Sequence, residues 1–493
     1  MSASGAGSAG IALLCVAMSV AEHESWTAMV RFGHDGWLGE LAYDLTYESI
    51  VNVAVAAGVT MTRDSRSHGP LVIAHDRRSL GDEFSRAISR ELASLGVEVI
   101  RLTEPFPSPV VSSAITQTDA VGGIMVSGGQ APVTMNGLLL RGPDGGALPR
   151  WMLDQISEVS QSGLPVSRVG PTARVRTWDP LERYLDILEA RFPLSAIRNA
   201  GITVAVDCLW GTGAGILPMV VDGDGSRTIE FRTAHNPLFP ELSSLTPDVS
   251  NLERLQKIVR TGDAAIGIGL SADGCNAAIL DERGIVLQPG MVSALTAWHR
   301  FHYRKQAGTI ARSIGASTSI DAITRRTGVM LHELPYGYTA VCETLRETSP
   351  ELAWDESGGL IMPSIGMERD GIAQSLCILS LMIDTEAELS DLVAEVHQVT
   401  GPRVLLRSRI DLAVDQSDLA RVRIGRESWP DHVAGLPVLE QYLTDGVSLE
   451  LGERAWLLIR YDEIEGALYI IAEAESDERA SAILEAGRSM MLL

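Results

Sequence analysis

Lysine is nearly absent. Lys257 and Lys305 are the only two in 493 residues, so almost all of the 40 basic residues are arginine. Acidic residues number 63, leaving a formal charge of −23 with no local basic cluster. That balance argues against a surface for nucleic acid or an anionic membrane. Long apolar runs are missing too: Ile11 to Val20 is far short of the ~20 residues that span a bilayer. No basic residue except His23 precedes Arg31, so the charged start of a signal peptide is lacking. Cysteine is sparse. Cys15, Cys208, Cys275, Cys342 and Cys377 are scattered without any CxxC, which excludes a disulfide framework or zinc site and fits reduced thiols in a cytoplasmic protein. Residues 1–28 are expected to be a loose N-terminal extension.

Apolar residues make up 45% of the chain and charged residues only 21%, enough to fill the three or four cores that this length calls for. From Met29 onward, helical and strand patterns alternate. Phe84, Ala87, Ile88, Leu92 and Leu95 recur at three- and four-residue steps between the strand-like runs Leu71–Ala74 and Val97–Leu102. Similar alternation returns after a polar stretch containing Pro165 and Pro171, and again from about Leu287. The pattern predicts an α/β chain: three similar α/β/α domains with mixed sheets over 29–165, 166–286 and 287–400. A smaller antiparallel α+β domain follows over 401–493.

One stretch organises the rest. Gly122 to Val126 reads as a buried strand that stops at Ser127-Gly128-Gly129 and Pro132. Loops at the carboxyl ends of strands are where open α/β sheets bind ligands, yet this loop offers one hydroxyl, one amide and no ionisable group.

Arg31-Phe32-Gly33-His34-Asp35-Gly36-Trp37, Asp76-Arg77-Arg78, the Ser127 loop with Asn136-Gly137, Asp207 with Gly211, Leu280-Asp281-Glu282-Arg283-Gly284, Leu334-Pro335-Tyr336-Gly337-Tyr338, and Glu356-Ser357-Gly358-Gly359 with Asp370-Gly371 occur in one order. Together they resemble the phosphoglucomutase/phosphomannomutase family, the α-D-phosphohexomutases. The resemblance implies four domains around a central cleft and transfer of a phosphoryl group between two positions of a sugar phosphate. A loop phosphoserine, Mg2+ and several cations carry that reaction in the family.

Residue by residue, the resemblance implies losses. Gly129 stands at the phosphoserine position, with Ser127, Gln130 and Ala131 at the family's threonine, histidine and asparagine. In the metal loop, Ser271-Ala272-Asp273-Gly274-Cys275-Asn276 keeps one carboxylate, Asp273. Leu38, Leu139 and Thr339 replace cations. The phosphate loop becomes Arg460-Tyr461-Asp462-Glu463, whose acids would repel phosphate and pair with Arg460, the sole remnant. Glu356 and Ser357 remain at the sugar-hydroxyl positions. Asp76 and Arg78 read as a structural ion pair and Gly211–Gly215 as close strand–helix packing. Thr233-Ala234-His235-Asn236-Pro237 reads as a chance likeness to the lost loop, and Cys275 as an inert thiol.

The expected function is therefore a phosphohexomutase-like pseudoenzyme that binds a sugar, a sugar phosphate or a protein partner, with no cofactor. One alternative is a working mutase with altered chemistry that uses Mg2+, with Ser127 as substitute nucleophile. Another is an oligomeric scaffold.

Overall fold

In the computed structural model, residues 30–64, 68–162, 168–426 and 429–491 are described. The expectation for residues 1–28 falls outside them. Runs rich in valine, isoleucine and leucine, bounded by glycine and proline turns, become strands. β1 (Gly36–Glu40), β2 (Leu71–His75), β3 (Val99–Leu102), β4 (Gly122–Val126), β5 (Met135–Arg141) and β6 (Val175–Trp178) form one sheet in the order β1-β5-β4-β2-β3-β6. β2 lies parallel to β3 and β4, and β4 turns back into β5 as an antiparallel hairpin. Both β2 and β4 are buried throughout, as in a sheet covered on two faces. The predicted amphipathic helix forms over Gly81–Ser94 and buries Phe84, Ala87, Ile88 and Leu92.

β7 (Thr203–Asp207), β8 (Arg227–Phe231), β9 (Ile266–Leu270) and β10 (Ala277–Leu280) repeat that plan in the order β10-β9-β7-β8. So do β11 (Ile310–Ser313), β12 (Leu331–Leu334), β13 (Leu352–Trp354) and β14 (Leu360–Ile361), ordered β12-β11-β13-β14. In each unit a central strand pairs in parallel with two neighbours and one neighbour continues into an antiparallel hairpin. The hairpin loops 127–134, 271–276 and 355–359 are thus equivalent positions of a threefold repeat. β15 (Val404–Asp411), β16 (His432–Val433), β17 (Leu436–Tyr442), β18 (Val447–Leu451), β19 (Trp456–Asp462) and β20 (Ala467–Ala474) make an antiparallel sheet, closed by the helix Asp477–Met490.

One apolar core runs through the first three units, joining residues such as Leu102, Val206, Leu295 and Leu376. The fourth has its own, built on Leu449, Ile459, Leu468 and Ile470, and meets the third through a small patch of Tyr336, Trp456, Leu458 and Ile471. No helix of the described residues is long and apolar enough to cross a membrane.

Two elements depart from the sequence pattern, which reads Pro105-Phe106-Pro107-Ser108-Pro109 as a stiff turn and the polar stretch with Pro165 and Pro171 as the end of the first unit. The proline-rich turn at Pro105–Pro109 opens a helix, Ser108–Gln117, because Pro109 sits in its first turn, where no N–H is needed. Asn136-Gly137 lies at the start of β5. A Cβ on Gly137 would stand 2.0 Å from the Trp37 carbonyl oxygen, so glycine admits β1 to the edge of the sheet. β6, beyond the polar stretch, returns to pair with β3.

Candidate active site

The first hairpin loop is wrapped around an arginine. Arg78 leaves the end of β2 and donates to the carbonyls of Gly129, Ala131, Pro132 and Met135 at 2.6–2.9 Å. Its Nε lies 3.4 Å from Asp76, confirming the buried pair beneath the loop. Ser127 is wholly buried; its hydroxyl donates to Asp76 Oδ2 at 2.6 Å and accepts from Gly129 N at 2.9 Å. Burial raises the Asp76 carboxyl despite Arg78 and Ser127. Arg78 is thus spent on backbone carbonyls and the Asp76 carboxylate.

Gly129 has φ +53, and a Cβ built there would lie 3.9 Å from Asp273 Oδ2 with nothing nearer. The loop therefore aims position 129 at the second hairpin loop, across open space. Asp273 Oδ1 accepts from Ser271 Oγ at 2.6 Å and from Cys275 N at 3.1 Å. Burial, with Asp273 and Glu368 nearby, holds the Cys275 thiol well above its ordinary value. This donor set does not fit Mg2+, which takes hard oxygen ligands in near-octahedral geometry. The loop supplies one free carboxylate oxygen, and no cluster of three or more His, Cys, Asp or Glu that could hold a metal occurs among the described residues.

The three equivalent loops bond directly to one another. Gln130 Nε2 donates to Asn276 Oδ1 at 2.8 Å, Asn276 Nδ2 to Ser357 Oγ at 2.8 Å, and Ser357 Oγ to Asp355 Oδ1 at 2.6 Å. Ser357, expected to face sugar hydroxyls, is thus engaged within the protein. Glu356 is freer: its carboxylate accepts one long bond, 3.4 Å from Gly337 N, and burial together with Asp355 raises its pKa.

A charged cluster that the sequence reading overlooked lies below the chain of amides. Arg141 reaches Glu368 and Asp35 at 2.7 Å each. Arg369 pairs with Asp35, with Glu368 at 3.2 Å and with Asp355 at 3.4 Å. Both guanidinium groups lie over the Tyr338 ring, 5.0 and 4.3 Å from its centroid. Burial works to raise the Asp35 carboxyl, but Arg141 and Arg369 outweigh it and hold the group at about 2. The signal was the run of adjacent charges Glu368-Arg369-Asp370, of which only Asp370 enters the sequence pattern, in the Asp-Gly pair.

The fourth unit closes the cleft with a carboxylate. Asp462 Oδ1 accepts from the backbone N–H groups of Ile464 and Glu465 at 2.9 and 3.0 Å, the kind of amide nest that binds phosphate. Its Oδ2 accepts from Arg460 Nη1 at 2.5 Å and meets His34 Nε2 of the first unit. Arg460 also pairs with Asp445 at 2.8 Å and lies 4.7 Å from the Tyr336 ring centroid. Burial lowers His34, but Asp462 outweighs that and raises it. Thr339 fixes the same segment by donating to the His34 carbonyl. Glu463 corrects the expectation that both acids face the cleft: it pairs with Arg421 on the outer surface at 3.0 Å. Two minor motifs resolve as packing. Glu230 accepts from Gly215 N, a Cβ on Gly211 would meet Ala272 at 2.5 Å, and the Thr233–Pro237 loop docks on Arg77.

The first three units are matched by family models of phosphoglucomutase/phosphomannomutase α/β/α domain I over residues 29–164, domain II over 182–284 and domain III over 289–399. The chain belongs to the phosphoglucomutase/phosphomannomutase family, the α-D-phosphohexomutases. It is 27% identical over 470 residues to a phosphoglucosamine mutase of Jannaschia sp. (strain CCS1), spanning 92% of this chain and 97% of that one. A Thermus thermophilus protein assigned to the phosphomannomutases superposes with a TM-score of 0.80 at 26% identity, covering 95% of this chain and 100% of the other. An Aspergillus fumigatus N-acetylphosphoglucosamine mutase, solved with GlcNAc-6P and magnesium, shares the fold at a TM-score of 0.53 and 13% identity, with 93% and 96% covered.

Proposed function

We propose that this phosphohexomutase-family protein does not carry phosphate on its first hairpin loop and acts by binding a sugar-like ligand in the cleft. The observation that carries this is Gly129: the position aimed at Asp273 has no side-chain atom to accept a phosphoryl group. Phosphoryl transfer also needs positive charge around a centre rich in oxygen anions. Arg78, Arg141, Arg369 and Arg460 are each already matched by carboxylates or carbonyls. Glu356, with spare acceptor capacity, is the group left to bind hydroxyls. A sugar phosphate, the ligand class of the Aspergillus relative, would have to displace Asp462 from the amide nest.

A second reading, a working mutase, is favoured by the comparisons: relatives matching nearly the whole chain are named as mutases. Ser127 would then be the nucleophile, with Asp76 as base; its burial and its place in the turn oppose this. Assay of the purified protein with glucose 1-phosphate, mannose 1-phosphate and glucosamine 1-phosphate, plus Mg2+ and a sugar bisphosphate, tests the contest. No turnover is expected. Turnover that disappears in Ser127→Ala or Asp273→Ala would establish the mutase. For ligand binding, a thermal-shift series with sugars and polyols should give a stabilisation lost in Glu356→Ala.

A further inference from the structure

Away from the cleft, a cavity of about 1150 Å³ opens between the third unit and the fourth. Its walls come from the helix Ser319–Thr327, the turn joining β17 to β18, and the segment before β19. That volume suits a drug-sized or nucleotide-sized molecule. Its charge is unusual for so acidic a chain. Arg325, Arg326 and Arg454 line it and form no ion pair among the described residues, and Arg403 lines it with its side chain only 8% exposed. Arg403 donates to the Arg454 carbonyl and has one distant carboxylate, Glu473, at 3.9 Å. Burial lowers the Arg403 pKa against the pull of Glu473 and Asp321, and Arg454 and Arg325 lower it further, so these cations stand close enough to repel one another.

The four acids of the lining, Asp321, Glu333, Asp445 and Glu450, offset part of this charge, but three of them are held by other arginines. Asp321 and Glu333 are taken up by Arg312 at 2.6 and 3.3 Å, and Asp445 by Arg460 at 2.8 Å. Glu450 lies exposed at the rim. The turn that carries Arg454 is strained: Glu453 and Arg454 both have φ +59, a left-handed pair without glycine. Such strain is retained where surrounding structure or a ligand holds it.

We infer that this cavity is a binding site for a small molecule bearing two or more phosphate-like groups, held by Arg325, Arg326, Arg403 and Arg454. Arginine forks match phosphate oxygens two at a time, and a ligand there would tie the third unit's helix to the fourth unit's sheet. Asp445 also lines the cavity but is already engaged by Arg460 and Tyr336 N. The site is independent of whatever the cleft binds.

The test is calorimetric titration of the full chain with inorganic pyrophosphate, at ionic strength matched with KCl. Saturable one-to-one binding is expected, weakened at least tenfold in Arg325→Ala/Arg326→Ala and unchanged in the cleft variant Glu356→Ala. Both arginines are exposed on a helix surface, so the double variant should keep its melting temperature; Arg454→Ala gives a second, separate loss. No binding, binding equal in the double variant, or binding lost only with Glu356→Ala would overturn the assignment. Hydrogen exchange slowed by pyrophosphate over 319–327 and 452–456, and nowhere in the cleft loops, would locate the site; slowing confined to the cleft loops would overturn it.

Discussion

The cleft and the cavity behind it both gather arginines, and they treat them oppositely. In the cleft, Arg141 and Arg369 are locked to Asp35, Asp355 and Glu368, Arg460 to Asp445 and Asp462, and Arg78 to four carbonyls. In the cavity, Arg325, Arg326 and Arg454 have no carboxylate partner among the described residues. The number of cations near a site is thus a poor guide to what it binds; their compensation decides. A cleft whose positive charge is internally neutralised has little field left for a phosphate, whereas exposed, unmatched guanidinium groups retain theirs.

The comparison can be broken by disturbing the compensation. Arg141→Met should have the largest effect, because it leaves Glu368 and Asp35 buried with fewer partners. A loss of about 3–5 kcal/mol is expected in urea unfolding, the scale for unpairing a buried ion. Next comes the contact between His34 and Asp462. His34 is raised above its ordinary value of 6.5 on folding, so its contribution is complete below that pH and fades as pH rises through the raised value. Limited proteolysis should therefore find the fourth unit more readily released at alkaline than at neutral pH, and Asp462→Ser should abolish that dependence while admitting inorganic phosphate to the freed nest. Equal cleavage at both pH values would remove the latch from the account. Gly129→Ser should cost about 1 kcal/mol, since a side chain at φ +53 is disfavoured. It should restore no mutase turnover, because the cations stay matched; activity from this single change would show that they are not limiting. Smallest of all, Glu463→Gln breaks a pair on the exposed surface and should leave the melting temperature unchanged.

Much of this was legible before the structure. The periodic apolar runs pointed to three α/β units and an antiparallel fourth, because strands buried on both faces write continuous apolar sequence. Gly129, Asp273 and Arg460 with Asp462 could be placed because each sits in a loop with a distinctive neighbourhood. The Arg141, Asp35, Glu368 and Arg369 cluster could not be. Its members lie up to 334 positions apart in sequence, and no local pattern says that two arginines share one carboxylate over a tyrosine ring. The separate fate of Asp462 and Glu463 was hidden for a related reason: β19 ends at Asp462, and only the fold shows that the turn beyond it carries Glu463 to Arg421. The helix Ser108–Gln117 was missed because proline marks helix starts as well as turns.

The most direct test of the central claim is intact mass spectrometry of the purified chain after incubation with glucose 1,6-bisphosphate and Mg2+. A single species of unchanged mass is expected, since position 129 has no side-chain oxygen to phosphorylate. A species carrying one phosphate, mapped to Ser127 and lost in Ser127→Ala, would contradict it.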